Sequence, residues 1–306
     1  MPQGVQIITM IQTIHPEVVC ELKSELGEGP LWDASRSLIC WVDILNGHIH
    51  EWSPQKKSLN TLSVGQMIGA MALTDKGDYI AALKSGFGKI DPKTTELEMI
   101  IDPEGHMPLN RFNDGKCDPE GRFWAGTMPI AEDGSTGSLY MLDNSLNVTK
   151  KESDISVSNG LAWSLDRRIM YFIDSPTRKV VGYDYDHDGG SLSNKRTVID
   201  IAETDGFPDG MTIDDEGMLW VAHWGGWQVA RYDPVTGKKL LSVSMPVAQV
   251  TSCAFGGTDF KDLYVTTARK GLSEKELEEQ PLAGSLFVIR NLGHKGLPAY
   301  QFKTKA

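Results

Sequence analysis

Asn110-Arg111-Phe112-Asn113-Asp114-Gly115-Lys116 runs directly into Cys117-Asp118-Pro119-Glu120-Gly121-Arg122-Phe123-Trp124-Ala125-Gly126. The first seven residues carry an arginine, an asparagine pair, an aspartate and a lysine; a turn and an apolar strand then follow. Polar side chains this dense are costly to bury without partners. One such stretch on its own reads as a solvated loop leading into a strand. The layout recurs along the chain, and the recurrence decides the fold.

An apolar tetrad stands behind each turn: Cys40-Trp41-Val42-Asp43, Tyr79-Ile80-Ala81-Ala82, Phe123-Trp124-Ala125-Gly126, Tyr171-Phe172-Ile173-Asp174, Leu219-Trp220-Val221-Ala222 and Leu263-Tyr264-Val265-Thr266. Their last residues, 43, 82, 126, 174, 222 and 266, lie 39, 44, 48, 48 and 44 apart. Blade-type repeats of about 40–45 residues carry four strands each, so the spacing predicts an all-β, six-bladed β-propeller with four-stranded blades. Each unit opens on a leading strand, at 27–32, 69–73, 112–118, 158–164, 208–214 and 250–255. Turns such as Asp75-Lys76-Gly77-Asp78 and Asp214-Asp215-Glu216-Gly217 connect it to the tetrad strand. Third strands are expected at 48–52, 137–142, 180–185 and 228–232. The clearest helix signal is the capping box of Ser273 and Glu276, with Pro281 as the stop.

A propeller must close its ring or expose sheet edges. A strand at 17–22 has no unit of its own and is expected to complete the last blade beside 284–290. Residues 1–15 then form a loosely ordered N-terminal extension, and 16–306 a single propeller domain.

With 41 acidic against 30 basic residues, the net charge is −11, which argues against nucleic acid or an anionic membrane as partner. Cys20, Cys40, Cys117 and Cys253 form no C-x-x-C pair or zinc spacing and read as free thiols in a reducing compartment. The apolar run 5–14 lacks a basic flank and a cleavage site and is too short to span a bilayer. The expectation is a cytoplasmic monomer.

Counted back from the aligned column, Glu28 and Asn159 lie 15 residues before it, and Asn113 and Asp209 lie 13 before it. Four blades therefore place an acid or amide at nearly one level around the axis, each beside a glycine. An all-oxygen set of this kind suits a hard divalent cation such as Ca²⁺, Mg²⁺ or Mn²⁺. The plainer alternative is ordinary turn residues or water-bridged channel polars. The seven histidines form no cage by spacing. His223, with Trp224, either lines the channel or packs. Asp184 to Gly190 reads as an outer hairpin rather than a calcium loop. There is no nucleophile elbow, P-loop or dinucleotide fingerprint.

Leu26-Gly27-Glu28-Gly29-Pro30, Asn110 to Lys116, Ala125-Gly126-Thr127-Met128, Ser158-Asn159-Gly160-Leu161-Ala162-Trp163-Ser164, Pro208-Asp209-Gly210-Met211 and Phe255-Gly256-Gly257 occur in that order. This set resembles the SMP-30/gluconolactonase family, which takes in regucalcin-like proteins, luciferin-regenerating enzymes and bacterial sugar lactonases. The late stretches Thr266 to Ser273 and Gln280 to Gly284 look most like the bacterial aldonolactonases. The resemblance implies one divalent metal, Ca²⁺ first and Zn²⁺, Mn²⁺, Mg²⁺ or Fe²⁺ otherwise, held by Glu28, Asn159 and Asp209. It implies substrate contacts from Arg111 and Asn113. A further family acid aligns poorly, with Glu132 as its stand-in, and Lys150 lies near a family lysine.

The expected activity is hydrolysis of a sugar lactone to its aldonic acid, with Asp209 as general base as well as ligand. Two alternatives stay open: a phosphotriesterase or aryl-esterase, and a non-enzymatic calcium-binding or interaction propeller.

Overall fold

The structure, a computed structural model, describes residues 14–305. The expected N-terminal extension, residues 1–15, falls almost wholly outside them. Six four-stranded antiparallel sheets follow one another along the chain. The leading strands are Gly27–Asp33, Ile68–Leu73, Asn110–Cys117, Ser158–Trp163, Phe207–Ile213 and Val250–Gly256. Each packs against the leading strands of the blades before and after it, the first against the last included. This is the six-bladed propeller that the repeat predicts, with the leading strands innermost.

Ring closure also follows the expectation, the strand starting one residue and ending two residues earlier than the sequence suggests. Pro16–Cys20 is the outer strand of blade six, pairing Pro16 with Ile289, Glu17 with Val288 and Val18 with Phe287. The helix Glu274–Glu279 is capped by Ser273, whose Oγ accepts from the Glu276 amide while the Glu276 carboxylate accepts from the Ser273 amide at 2.8 Å.

The tetrads are continuously apolar because each sheet is buried on both faces, as in closely stacked sheets generally. Successive side chains of a strand point to opposite faces. Phe123 and Ala125 therefore enter the core between blades two and three, whereas Trp124 enters the core between blades three and four. In the same way Leu219 and Val221 face blade four and Trp220 faces blade six. Among the described residues there are six apolar clusters, one for each blade–blade interface. Trp41, Trp124 and Trp220 are fully buried. Each such side chain contributes at least about 1.5–3 kcal/mol by leaving water.

Two turn aspartates do more than turn the chain. Asp118 accepts from Trp124 Nε1 at 2.8 Å, Arg122 Nε at 2.6 Å and Tyr185 Oη at 2.7 Å. Asp214 likewise accepts from Trp220 Nε1 at 2.9 Å and Arg231 Nε at 2.7 Å. The polar edges of the buried indoles are thereby satisfied, as burial requires. Cys40, Cys117 and Cys253 are buried free thiols.

The C-terminal segment crosses one mouth of the channel. Gly296 pairs with Asp214, Phe302 pairs with Thr74, and the Lys303 amide donates to the Gly121 carbonyl at 3.0 Å. The opposite mouth stays open and holds the site.

Candidate functional site

Every leading strand is bulged against its neighbour. The register slips between Glu28 and Leu31, Ile68 and Ala70, Phe112 and Gly115, Asn159 and Leu161, Pro208 and Met211, and Val250 and Ser252. A bulge bends the strand and re-aims a side chain. At this one level Glu28, Asn113, Asn159 and Asp209 come together with Arg111 in a pocket of about 230 Å³. All five are buried, none more than 6% exposed. Leu26, Met128, Val157, Pro176, Phe207 and Trp224 form its apolar walls, and Glu132 and Lys270 complete the lining.

Glycine is needed beside the acids. The Gly29 amide caps Glu28 Oε2 at 2.6 Å from a left-handed backbone, φ 54°. A Cβ on Gly210 would stand 2.1 Å from Ser252 Oγ, so only glycine lets blades five and six meet here.

A hydrogen-bond relay fixes the amides across three blades. Arg111 Nη1 donates to Asn113 Oδ1 at 2.7 Å, and Asn113 Nδ2 to Asn159 Oδ1 at 3.0 Å. Asn159 Nδ2 donates to Ser175 Oγ at 2.8 Å, whose hydroxyl donates to the Pro208 carbonyl at 2.7 Å. Ser175 has no signal in the sequence beyond its place after the second strand of blade four.

The carboxyl groups have no such partners. Burial pushes Glu28 up to about 8, and the nearby Asp114 adds to the effect. Asp209 is held well above the usual carboxylate range by burial, then by Glu28 and Asp114, and shares a hydrogen bond with Glu28. Burial also lowers Arg111 to about 10, although Glu28 and Asp209 oppose this. Beneath the ring, Lys116 Nζ donates to the Met211 carbonyl at 2.6 Å and partly neutralises Asp114. Burial raises Asp114 and lowers Lys116.

Glu28 and Asp209, two adjoining buried carboxyls, line one pocket with the Asn159 amide, and together they form a donor set that fits a hard divalent ion. A compact carboxylate–histidine group elsewhere, Asp214, Glu216 and His294, is already occupied: the Arg231 guanidinium bridges its two acids.

Of the remaining sequence candidates, Glu132 reaches the pocket. Lys150 does not: it is exposed on the outer strand of blade three, its ammonium 5.6 Å from the centre of the Tyr140 ring. His223 packs rather than lining the channel, while its neighbour Trp224 lines the pocket. His223 Nδ1 donates to the Asp205 carbonyl at 2.9 Å, Nε2 meets Tyr232 Oη at 3.1 Å, and burial lowers the imidazole to about 4. Sequence reasoning gave Lys270 no role in the site; it stands in the loop after the second strand of blade six, beyond the reach of the repeat.

Fold and site together define a class: a six-bladed propeller with an acid- and amide-floored pocket at one end of its channel. The chain belongs to the SMP-30/gluconolactonase/LRE-like family, whose pattern matches residues 26–269. It is 43% identical over 267 residues, covering 87% of this chain and 91% of the relative, to YvrE of Bacillus subtilis (strain 168), a protein assigned by name as a sugar lactone lactonase. The solved structure of a luciferin-regenerating enzyme superposes with a TM-score of 0.90 at 35% identity, covering 95% of this chain and all (100%) of that one. Regucalcin of Agrobacterium tumefaciens str. C58, described as a calcium-binding protein, gives a TM-score of 0.90 at 30% identity, covering 94% and 97%. Among the described residues no helix is long and apolar enough to cross a membrane.

Proposed function

We propose that the protein is a metal-dependent lactonase that opens sugar lactones of the gluconolactone, xylonolactone or arabinolactone type to aldonic acids. The observation that carries this reading is the pair of buried carboxyls, Glu28 and Asp209, at the floor of a pocket whose one fully buried cation, Arg111, is held by amides rather than by those acids. Glu28, Asn159 and Asp209 would hold the divalent ion, Ca²⁺ in the first instance. When bound, such an ion supplies Lewis-acid polarisation of the lactone carbonyl and of an attacking water.

The chain's own groups supply the rest. Asp209 accepts the proton of the attacking water at its carboxylate. Arg111 donates to ring hydroxyls or to the oxygen that gains charge as the ring opens, a role worth about 2.7–4 kcal/mol per donor in comparable sites. Asn113, held by Arg111 and holding Asn159, keeps the donors in register. The walls of Leu26, Val157 and Trp224 exclude bulk water, which strengthens each of these interactions.

The test is a pH-indicator assay on metal-stripped protein with Ca²⁺, Mg²⁺, Mn²⁺, Zn²⁺ or Fe²⁺ restored singly, over five- and six-carbon aldonolactones and paraoxon, against uncatalysed ring opening. Metal-restored turnover of an aldonolactone is expected. Stoichiometric metal binding without turnover would refute the reading in favour of a binding propeller, and turnover of paraoxon alone in favour of a phosphotriesterase.

A further inference from the structure

Two loops from opposite sides of the ring meet at the open mouth. One follows the second strand of blade three and carries Glu132; the other follows the second strand of blade six and carries Lys270. The two side chains form an ion pair 138 residues apart in sequence. Both loops are pinned by their backbones. The Lys270 amide donates to the Glu25 carbonyl at 2.9 Å, and the Arg269 amide to the same oxygen at 3.1 Å. On the other side the Ile130 amide donates to Leu109 at 2.8 Å and the Glu132 amide to Pro129 at 3.0 Å. The two backbones are therefore held at the mouth, with the side chains facing each other across it.

It is also the shallow end of the pocket. The Lys270 and Glu132 side chains are 28% and 44% exposed, whereas Glu28, Arg111 and Asp209 on the floor are buried. A ring whose carbonyl reaches the floor must present its far side to the rim. An ion pair this exposed contributes little when left to itself, so exchanging it for contacts to a ligand costs little. Lys270 brings three donors and Glu132 two acceptor oxygens, a combination suited to neighbouring hydroxyls, each of which both donates and accepts. Arg111 and Lys270 line the same pocket, so one ligand can meet both cations; burial first, and then Arg111, depress the Lys270 ammonium.

We propose that Lys270 is a specificity-determining residue: with Glu132 it takes the hydroxyls that a sugar lactone carries on the side away from its carbonyl. The proposal rests on the lactonase reading for its substrate class. Lys270 thereby favours polyhydroxylated lactones over bare ones at the shallow end of the pocket, beyond the hydroxyls that Arg111 meets on the floor.

The experiment compares wild type, Lys270→Met and Lys270→Arg in two readouts. The first is the ratio of kcat/KM for glucono-δ-lactone to that for δ-valerolactone, which has the same ring and no hydroxyls. This ratio should fall about tenfold or more in Lys270→Met, the loss expected for one hydrogen bond to a charged group, mainly through KM, and recover in Lys270→Arg. The second is calorimetric binding of the non-hydrolysable glucono-δ-lactam in Ca²⁺ buffer, which should weaken by a similar factor. A ratio and a lactam affinity within about twofold of wild type in Lys270→Met would overturn the proposal. Parallel losses on both lactones would also overturn it, since they mark a structural strap. If wild type turns over neither lactone yet binds the lactam in a Lys270-dependent way, the lactonase reading fails and the role of Lys270 stands. A wild-type protein that binds no lactam overturns both.

Discussion

Removal of metal should make this protein less stable as pH rises through neutrality, the reverse of what a paired carboxylate does. The group responsible is Glu28, whose carboxyl stands at about 8 in the fold against 4.5 in the unfolded chain. Between those values the folded state holds a proton that the unfolded state has released. The resulting stability is complete below pH 4.5 and disappears as pH climbs through 8. Over pH 6.5 to 8 the loss amounts to roughly one decade of proton binding, or about 1–2 kcal/mol. The window matters because the buried His50 and His223, lowered to about 4, titrate with the opposite sign below 6.5. The assay is urea unfolding of chelator-treated wild type and Glu28→Gln at several pH values in this window. Wild type should lose about 1–2 kcal/mol more than the variant, and saturating Ca²⁺ should abolish the difference by binding the deprotonated form. Equal slopes for the two proteins, or a wild type that gains stability toward pH 8 relative to the variant, would refute the claim that Glu28 is a buried acid awaiting a cation.

Asp209→Asn should lower lactone kcat by about 10³-fold, within the range for loss of a general base; an initial-rate assay with metal content checked decides it, and near-normal turnover would remove Asp209 from the chemistry. Arg111→Ala should cut kcat/KM for aldonolactones about 100-fold, read by the same assay; an unchanged value would take Arg111 out of the site. Lys116→Met should destabilise the fold by about 1–3 kcal/mol, because the buried Met211 carbonyl then loses its donor and Asp114 a favourable cation. Adding Asp114→Asn should restore part of the loss in denaturant unfolding, and strict additivity would show that the two do not interact.

The architecture was legible because a propeller repeats its physics. Each blade needs an apolar second strand buried on both faces, so the apolar tetrads recur every 39 to 48 residues, and their number counts the blades. Closure by the N-terminal strand was legible for a related reason: a strand without a unit and a last unit short of a strand need each other. The ring of Glu28, Asn113, Asn159 and Asp209 came from counting along equivalent strands, and the structure brings all four into one pocket. Side chains on connecting loops follow no period. Glu132, Lys270 and Lys150 could not be placed by counting, and they fall at the rim, at the rim and on the outer face. Asp118 and Asp214 show a different blind spot. As turn residues they were plain, but their bonds to Trp124 and Trp220 depend on packing that local sequence does not encode.

The bulge explains why one level of the ring can carry chemistry at all. Regular pairing would turn these side chains into the blade interfaces, where an unpartnered charge is excluded. Slipping the register in every blade turns them to the axis instead, and the six equivalent places are then free to differ. Blade two puts Gly69 there, where a Cβ would stand 2.5 Å from the Phe112 and Asn113 carbonyls. Blade six puts Thr251 there, its hydroxyl donating to the Gly27 carbonyl at 2.6 Å. Those two blades close the ring by packing and hydrogen bonding. Blades one and five contribute the acids, and blades three and four contribute the amides that hold them in register. The asymmetry therefore puts the unpaired negative charge on one arc of the channel and the fixed donors on another. Under the proposed lactonase function, a lactone entering between them would meet acceptors for its attacking water on one side and donors for its ring oxygens on the other.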